Sequence, residues 1–207
     1  MQAIWDFLVK GGPTMIPLGI CSVVGLAVAL EKLFFLRRKR ILVPEVVAVV
    51  QNLKQEEDVA LTTSICSKYD SAFPNIIRVA LENRHFNREE LKELITDRGR
   101  QEVRSLERGL GVLETVAGIA PLLGLLGTVL GILDVFNVIS SVGVGQAQSL
   151  AGGIAEALIT TIVGLCIGIP ALVAYNYFTH RAENLILDIE EFTTEMMLKI
   201  RRFNKSQ

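Results

Sequence analysis

Among the polar residues in the apolar runs of this sequence, one carboxylate and three threonines stand out. Glu156 lies near the start of the apolar run 153–178, GIAEALITTIVGLCIGIPALVAYNYF. On a helix, Glu156, Thr160, Gly164 and Gly168, spaced four apart, share one face, and Thr161 borders it. That face is small and polar with an acid at its head. A carboxylate inside a bilayer is costly and by default marks a functional path. Burial would raise its pKa and let it take up a proton near neutral pH. The competing reading sets Glu156 high enough to meet headgroup water. Thr128 is the single hydroxyl of 120–132, APLLGLLGTVLGI, a stretch without charge. It either lines a pathway or contact or bonds back to its own helix carbonyl.

The glycines around Thr128 suit helix packing. Gly127 and Gly131 have GxxxG spacing, and Gly124 and Pro121 precede them. Small residues let helix backbones approach closely where lipid offers no hydrophobic drive for association. These glycines resemble a phosphate-binding loop only superficially, since no lysine follows. No GxxxxGK[ST], no HExxH and no nucleophile with an evident His-plus-acid arrangement occurs, so the expectation is a non-enzyme without metal or cofactor. Cys21, Cys66 and Cys166 suit neither a metal site nor a disulfide framework. His85 and His180 read as surface residues.

The elements that hold these residues follow from composition. The chain has 207 residues, half of them hydrophobic, with 21% charged. Its mean hydropathy is positive. That combination fits a membrane protein with a sizeable polar part. The formal net charge is −1, so nothing argues for nucleic-acid binding, and any charge signal lies in the distribution along the chain. Residues 1–13 form an amphipathic outer lead with Trp5 at the interface. The first transmembrane helix is expected over 14–36, with Pro17 in its first turn and Glu31 and Lys32 snorkelling outward. Arg37, Arg38, Lys39 and Arg40 follow it. A cleavable signal would carry its positive charge before the apolar core. The order here puts the N-terminus outside and the chain beyond residue 37 in the cytoplasm.

Residues 37–110 read as a cytoplasmic helical domain. Pro44 and Pro74 open helices, a short helix covers 58–68, and Asn87 with Glu90 forms an N-terminal cap. From there one long helix is expected to run into the membrane, since Gly109 and Gly111 only weaken it. The second transmembrane helix is placed at 111–137, a chargeless outer loop at 138–150, and the third span at 151–178 with Pro170 kinking it. The cytoplasmic C-terminal helix covers 179–207. Its apolar stripe (Leu185, Ile189, Phe192, Met196, Ile200, Phe203) needs a partner from its own chain, a neighbour, or both. The predicted fold is therefore all-α: a polytopic protein with three transmembrane helices, two of them extending as long helices into a cytoplasmic helical domain.

APLLGLLGTVLGI at 120–132, GIAEALITTIVGLCIGIP at 153–170 and the first span from 11 to 38 together resemble the MotA/TolQ/ExbB proton-channel family, and its ExbB/TolQ branch in particular. The resemblance covers nearly the whole chain. It implies a homopentamer in the bacterial inner membrane, with an N-terminus in the periplasm and a cytoplasmic C-terminus. The second and third spans would line a pore around single-span ExbD- or TolR-like partners, whose aspartate titrates. A TonB- or TolA-like transducer would then receive the work. The family's pore positions fall here on Thr128, Glu156 and Thr161. Spacing instead puts Thr160 beneath the acid, because five residues turn a straight helix by about 140°. Both threonines are therefore candidates, with Gly124, Gly127, Gly131, Gly164 and Gly168 as packing positions. Two rival readings are an unpartnered ion channel and a non-conducting membrane scaffold. Sodium can replace the proton at such groups.

Overall fold

The computed structural model describes residues 12–53, 57–142 and 147–205, and their side chains except at 57, 141–142, 147–150, 156 and 201–205. The outer lead and Trp5, including residues 1–11, and Phe203's side chain therefore lie outside the described residues. The described residues form helices without a strand: α1 (Met15–Phe35), α2 (Arg38–Ile41), α3 (Pro44–Asn52), α4 (Glu57–Cys66), α5 (Ala72–Glu82), α6 (Arg88–Glu107), α7 (Leu110–Val142) and α8 (Ala147–Lys205). Three runs are long and apolar enough to cross a bilayer: Met15–Phe35, Arg88–Ser140 and Ala151–Ile200. The latter two are 53 and 50 residues long and include much of the polar sequence, as the all-α, three-span prediction requires.

The chain divides into two compact units. The first combines Met1–Glu31 with Gly109–Tyr177. Its buried seam on α7 is Leu113, Val116, Ala120, Gly124, Gly127 and Gly131. Steps of three and four residues keep a narrow stripe on one side of a helix, as in a coiled-coil seam. The opposing seam on α8 is Ala157, Thr160, Gly164, Gly168 and Ala171, with the same steps. Large side chains such as Leu122, Leu125, Val129 and Leu133 point outward and are exposed. This segregation puts small residues where helices meet and bulky ones where lipid or another chain can meet them. Helix α1 joins the seam through Leu18, fully buried, and Gly25, whose Cβ position lies 3.3 Å from Val116.

The second unit combines Lys32–Arg108 with Phe178–Gln207. Its core holds Val46, Val50, Phe73, Ile77 and Leu81 against the stripe of α8, where Ala182, Leu185, Ile189, Met196 and Ile200 are buried. Phe73 meets Phe192 at 5.6 Å between ring centroids. Within this unit the described part of the stripe is thus covered by its own chain. Cys66 is buried too, and that burial pushes its thiol up to about 11.

Basic side chains close three helix ends in this unit. Arg181 Nε donates to the Leu36 carbonyl (2.6 Å), just beyond α1. Lys199 Nζ donates to the Val50 and Gln51 carbonyls (3.0 and 2.6 Å) at the end of α3. Lys32 Nζ donates to the Leu106 carbonyl (3.1 Å) at the end of α6. The last carbonyls of a helix lack intrahelical partners and carry partial negative charge, so a cation satisfies both needs.

Four expectations change. Lys32 does not snorkel outward: it is 2% exposed, because the Leu106 carbonyl gives its ammonium an acceptor inside the fold. The long helix expected from Asn87 is interrupted by a turn at Arg108 and Gly109. Gly109 has φ of +89°, a conformation that lacks a Cβ penalty only in glycine. The loop at 138–150 is shorter than predicted, since α7 runs to Val142 and α8 starts at Ala147. Nothing between Asn137 and Gly143 is Gly or Pro, so the helix keeps satisfying its own backbone. Helix α5 begins two residues before Pro74, at Ala72. The Asn87–Glu90 capping box forms as predicted, with the Glu90 amide donating to Asn87 Oδ1 at 2.9 Å. Helix α8 continues unbroken from the third apolar run to Lys205.

Replacing Lys32 by Ala should cost about 2 kcal/mol, the range for a hydrogen bond to a charged group. A thermal scan of detergent-solubilised protein followed by circular dichroism would register it as a lower midpoint. An unchanged midpoint would mean that the Leu106 carbonyl finds water instead.

Candidate functional site: a threonine cluster on a glycine seam

Helices α7 and α8 approach so closely that several glycines have no space for a Cβ. At Gly164 it would lie 2.6 Å from the Ala120 carbonyl oxygen and 3.0 Å from Gly124 Cα. At Gly124 it would meet the Thr160 carbonyl oxygen at 2.8 Å, and at Gly131 the Ala157 Cβ at 2.9 Å. At Gly168 it would strike Pro121 Cγ at 2.6 Å. At Gly127 it would run into the Thr160 side chain, with Thr14 Oγ1 at 2.8 Å. All five glycines named from the sequence therefore sit on this seam.

The seam brings three hydroxyls to one place. Thr160 is 1% exposed and donates to the Ala157 carbonyl (2.7 Å), three residues back on its own helix. Its methyl and hydroxyl fill the space left by Gly127. Thr128 and Thr161 are only half-buried and pair hydroxyl to hydroxyl across the two helices. Thr161 Oγ1 also reaches the Gly124 carbonyl at 3.1 Å, and Thr128 Oγ1 reaches the Ala157 carbonyl at 3.0 Å. The back-bond of Thr128 to its own helix, at Gly124, is the longer contact at 3.3 Å. Thr128 thus makes both its back-bond and an interhelical contact, with the interhelical partners closer.

A hydroxyl has one proton to give and two lone pairs to receive. The pair accordingly has two complete arrangements. In one, Thr128 donates to Thr161, and Thr161 donates to the Gly124 carbonyl. In the other, Thr161 donates to Thr128, and Thr128 donates to the Ala157 carbonyl. Reversing the direction needs two hydroxyl rotations and no movement of the backbone.

Thr160 and Thr161 therefore hold different positions. Thr160 belongs to the packed seam, while Thr161 stands at its edge with Thr128. Glu156 lies in α8, and its side chain is outside the described residues. Thr14 was missed from sequence. It is 8% exposed and borders Gly127, and it sits just before the first residue of α1, where its type marks a helix start and not a contact with another span. Among the described residues no group of three His, Cys, Asp or Glu side chains is placed to hold a metal ion.

Comparison with known proteins adds the context of this seam. A model of the MotA/TolQ/ExbB proton channel family matches residues 68–191, which include the whole threonine cluster and Glu156. A putative biopolymer transport protein ExbB homolog of Methanothermobacter thermautotrophicus is 33% identical over 183 residues, 87% of this chain and 64% of that protein. The chain therefore spans just under two thirds of that relative's length. A putative biopolymer transport protein ExbB-like 3 of Synechocystis is 30% identical over 213 residues, covering 94% of this chain and 93% of the relative. A Tol-Pal system protein TolQ of Haemophilus influenzae is 44% identical over 98 residues, 45% of this chain and 43% of that protein.

Gly164→Ala should destabilise the helix pair by about 1–3 kcal/mol, the usual cost of forcing a methyl into a packed site. Its neighbours there are backbone atoms that cannot swing away. Gly118→Ala is the control, since nothing lies within 4 Å of its Cβ position. Equal melting temperatures for the two variants in detergent would show that the seam yields.

Proposed function

We propose that this chain, which belongs to the MotA/TolQ/ExbB proton channel family, is the stator subunit of a membrane motor driven by the proton-motive force. The observation that carries this reading is the reversible Thr128–Thr161 hydroxyl pair between two spans. A proton relay needs groups that can both give and receive a hydrogen bond, in a site too tight for bulk water. Five copies would surround single-span ExbD/TolR-like partners, with Thr128, Thr161 and Glu156 turned toward them. Thr160 holds the two spans together and does not carry protons. The partner's aspartate would titrate, and Glu156 would tune it or receive its proton. Each proton released down the gradient yields about 2.3 kcal/mol per 100 mV. A TonB- or TolA-like transducer would pass that work to envelope transport or maintenance.

The basic cluster after the first span supports an inner-membrane protein with a periplasmic N-terminus and a cytoplasmic C-terminus. In that orientation the second unit, built around the C-terminal half of α8, is cytoplasmic. The domain boundaries read from sequence are kept in this proposal, with the outer connection shortened to the stretch between α7 and α8.

Two experiments test the reading. In proteoliposomes holding the chain and its co-purified single-span partner, Thr161→Val and Glu156→Gln should each cut proton uptake at least tenfold. Thr160→Val, which removes the hydroxyl and keeps the shape, should leave it unchanged. Wild-type flux in both of the first two variants would remove these residues from the path. Uptake without any partner would favour a free-standing channel.

Native mass spectrometry of the protein gently extracted from its host membrane should find five copies with a substoichiometric single-span protein. Any other copy number would overturn the pentamer.

A further inference from the structure

We propose that a cleft at the end of the first span is a binding site for the phosphate headgroup of an anionic phospholipid. The cleft, about 620 Å³, lies within the second unit and is lined by Arg37, Arg38, Lys39 and Arg181 above an apolar wall that includes Leu42 and Val47. Among its lining residues none is acidic. One carboxylate lies close by: Asp188 Oδ2 pairs with Arg38 Nε at 3.0 Å and offsets one of the four charges. Arg37 and Lys39 then add positive charge that no acidic residue of the wall offsets.

Position selects the occupant. Leu33 and Phe34 are exposed apolar side chains at the last turn of a helix apolar enough to span a bilayer. Arg37 follows within one turn and its guanidinium lies 5.1 Å from the Phe34 ring centroid. A guanidinium stacked on a lipid-facing ring stands where hydrocarbon gives way to headgroups. The cleft also has the two-part chemistry of a phospholipid. Its basic rim suits a phosphodiester, and its apolar wall suits glycerol and the first methylenes of an acyl chain. Basic pockets beside spanning helices are suited to anionic headgroups in this way. A soluble phosphate would use the rim and leave the wall wet.

Two of the four basic side chains are held before the site is filled. Arg181 is anchored through Nε to the Leu36 carbonyl (2.6 Å), and Arg38 through Asp188. Arg37 and Lys39 carry no such anchor across the fold, and they are the residues to change.

The test is native mass spectrometry of the detergent-solubilised full chain titrated with phosphatidylglycerol or phosphatidylcholine. Each basic residue near a membrane surface contributes about fivefold to the binding of anionic lipid. Wild-type protein should therefore retain phosphatidylglycerol at least tenfold more tightly than phosphatidylcholine. Arg37→Gln with Lys39→Gln should lose roughly 25-fold of that affinity. Arg37→Lys with Lys39→Arg should keep it and shows that the fold tolerates change here. Equal retention of the two lipids, or a preference that survives the glutamine pair, would overturn the assignment. So would loss of the preference in the charge-conserving pair. Displacement of the lipid by millimolar inorganic phosphate would assign the cleft to free phosphate instead. None of these readouts depends on proton flux, so the site and the motor reading stand or fall separately.

Discussion

The close approach of α7 and α8 is the constraint on which the rest of the first unit depends. Two apolar helices in lipid gain nothing from hiding leucines from one another, because the lipid tails are as apolar as the leucines. What remains is van der Waals contact between backbones, and that needs side chains to be absent. Gly164 and Gly124 meet Cα to backbone, Gly131 receives Ala157, and Gly168 receives the ring of Pro121. Every one of these contacts fixes both the separation and the register of the pair. A shift of one residue would put Leu123 or Leu125 where Gly124 now lies.

Register in turn decides which hydroxyls can meet. Thr160 falls into the gap at Gly127, so its side chain is spent on packing and on the Ala157 carbonyl. Thr161 is one residue on, about 100° around the helix, and lands beside Thr128 at the edge of the seam. The carbonyls of Gly124 and Ala157 are within reach because no side chain at Gly124 covers them. The glycines thus set the geometry of the hydroxyl pair as well as the packing.

Much of this was legible in the sequence. Three apolar runs, the capping box at Asn87 and the packing glycines are local signals, and each appears where its residues stand. Which of Thr160 and Thr161 joins the seam was not legible by counting from Glu156. Helical periodicity relates residues on one helix to each other, but only the partner helix says which side is the seam. The seam passes through Ala157, Thr160 and Gly164, and from a single helix nothing marks that line. The turn at Gly109 was hidden for a similar reason. Glycine tolerates a helix and a left-handed turn alike, and the sequence around it offers no proline to decide.

Lys32 carries the same lesson for charge. Hydropathy treats a lysine near the end of a span as a head reaching for water. Its acceptor here is a carbonyl 74 residues away, which no window along the chain can contain. Yet the pattern repeats, since Lys199 and Arg181 also end on helix-terminal carbonyls. Each bond joins a helix end to a residue far along the chain, at separations of 149, 148 and 145 positions. A helix end buried in a protein core must find a partner for its last carbonyls. Supplying that partner from a distant helix satisfies the carbonyl and fixes the tertiary arrangement with the same hydrogen bond. The second unit is thereby specified by directional polar bonds at helix ends. The first relies on the absence of side chains along helix flanks.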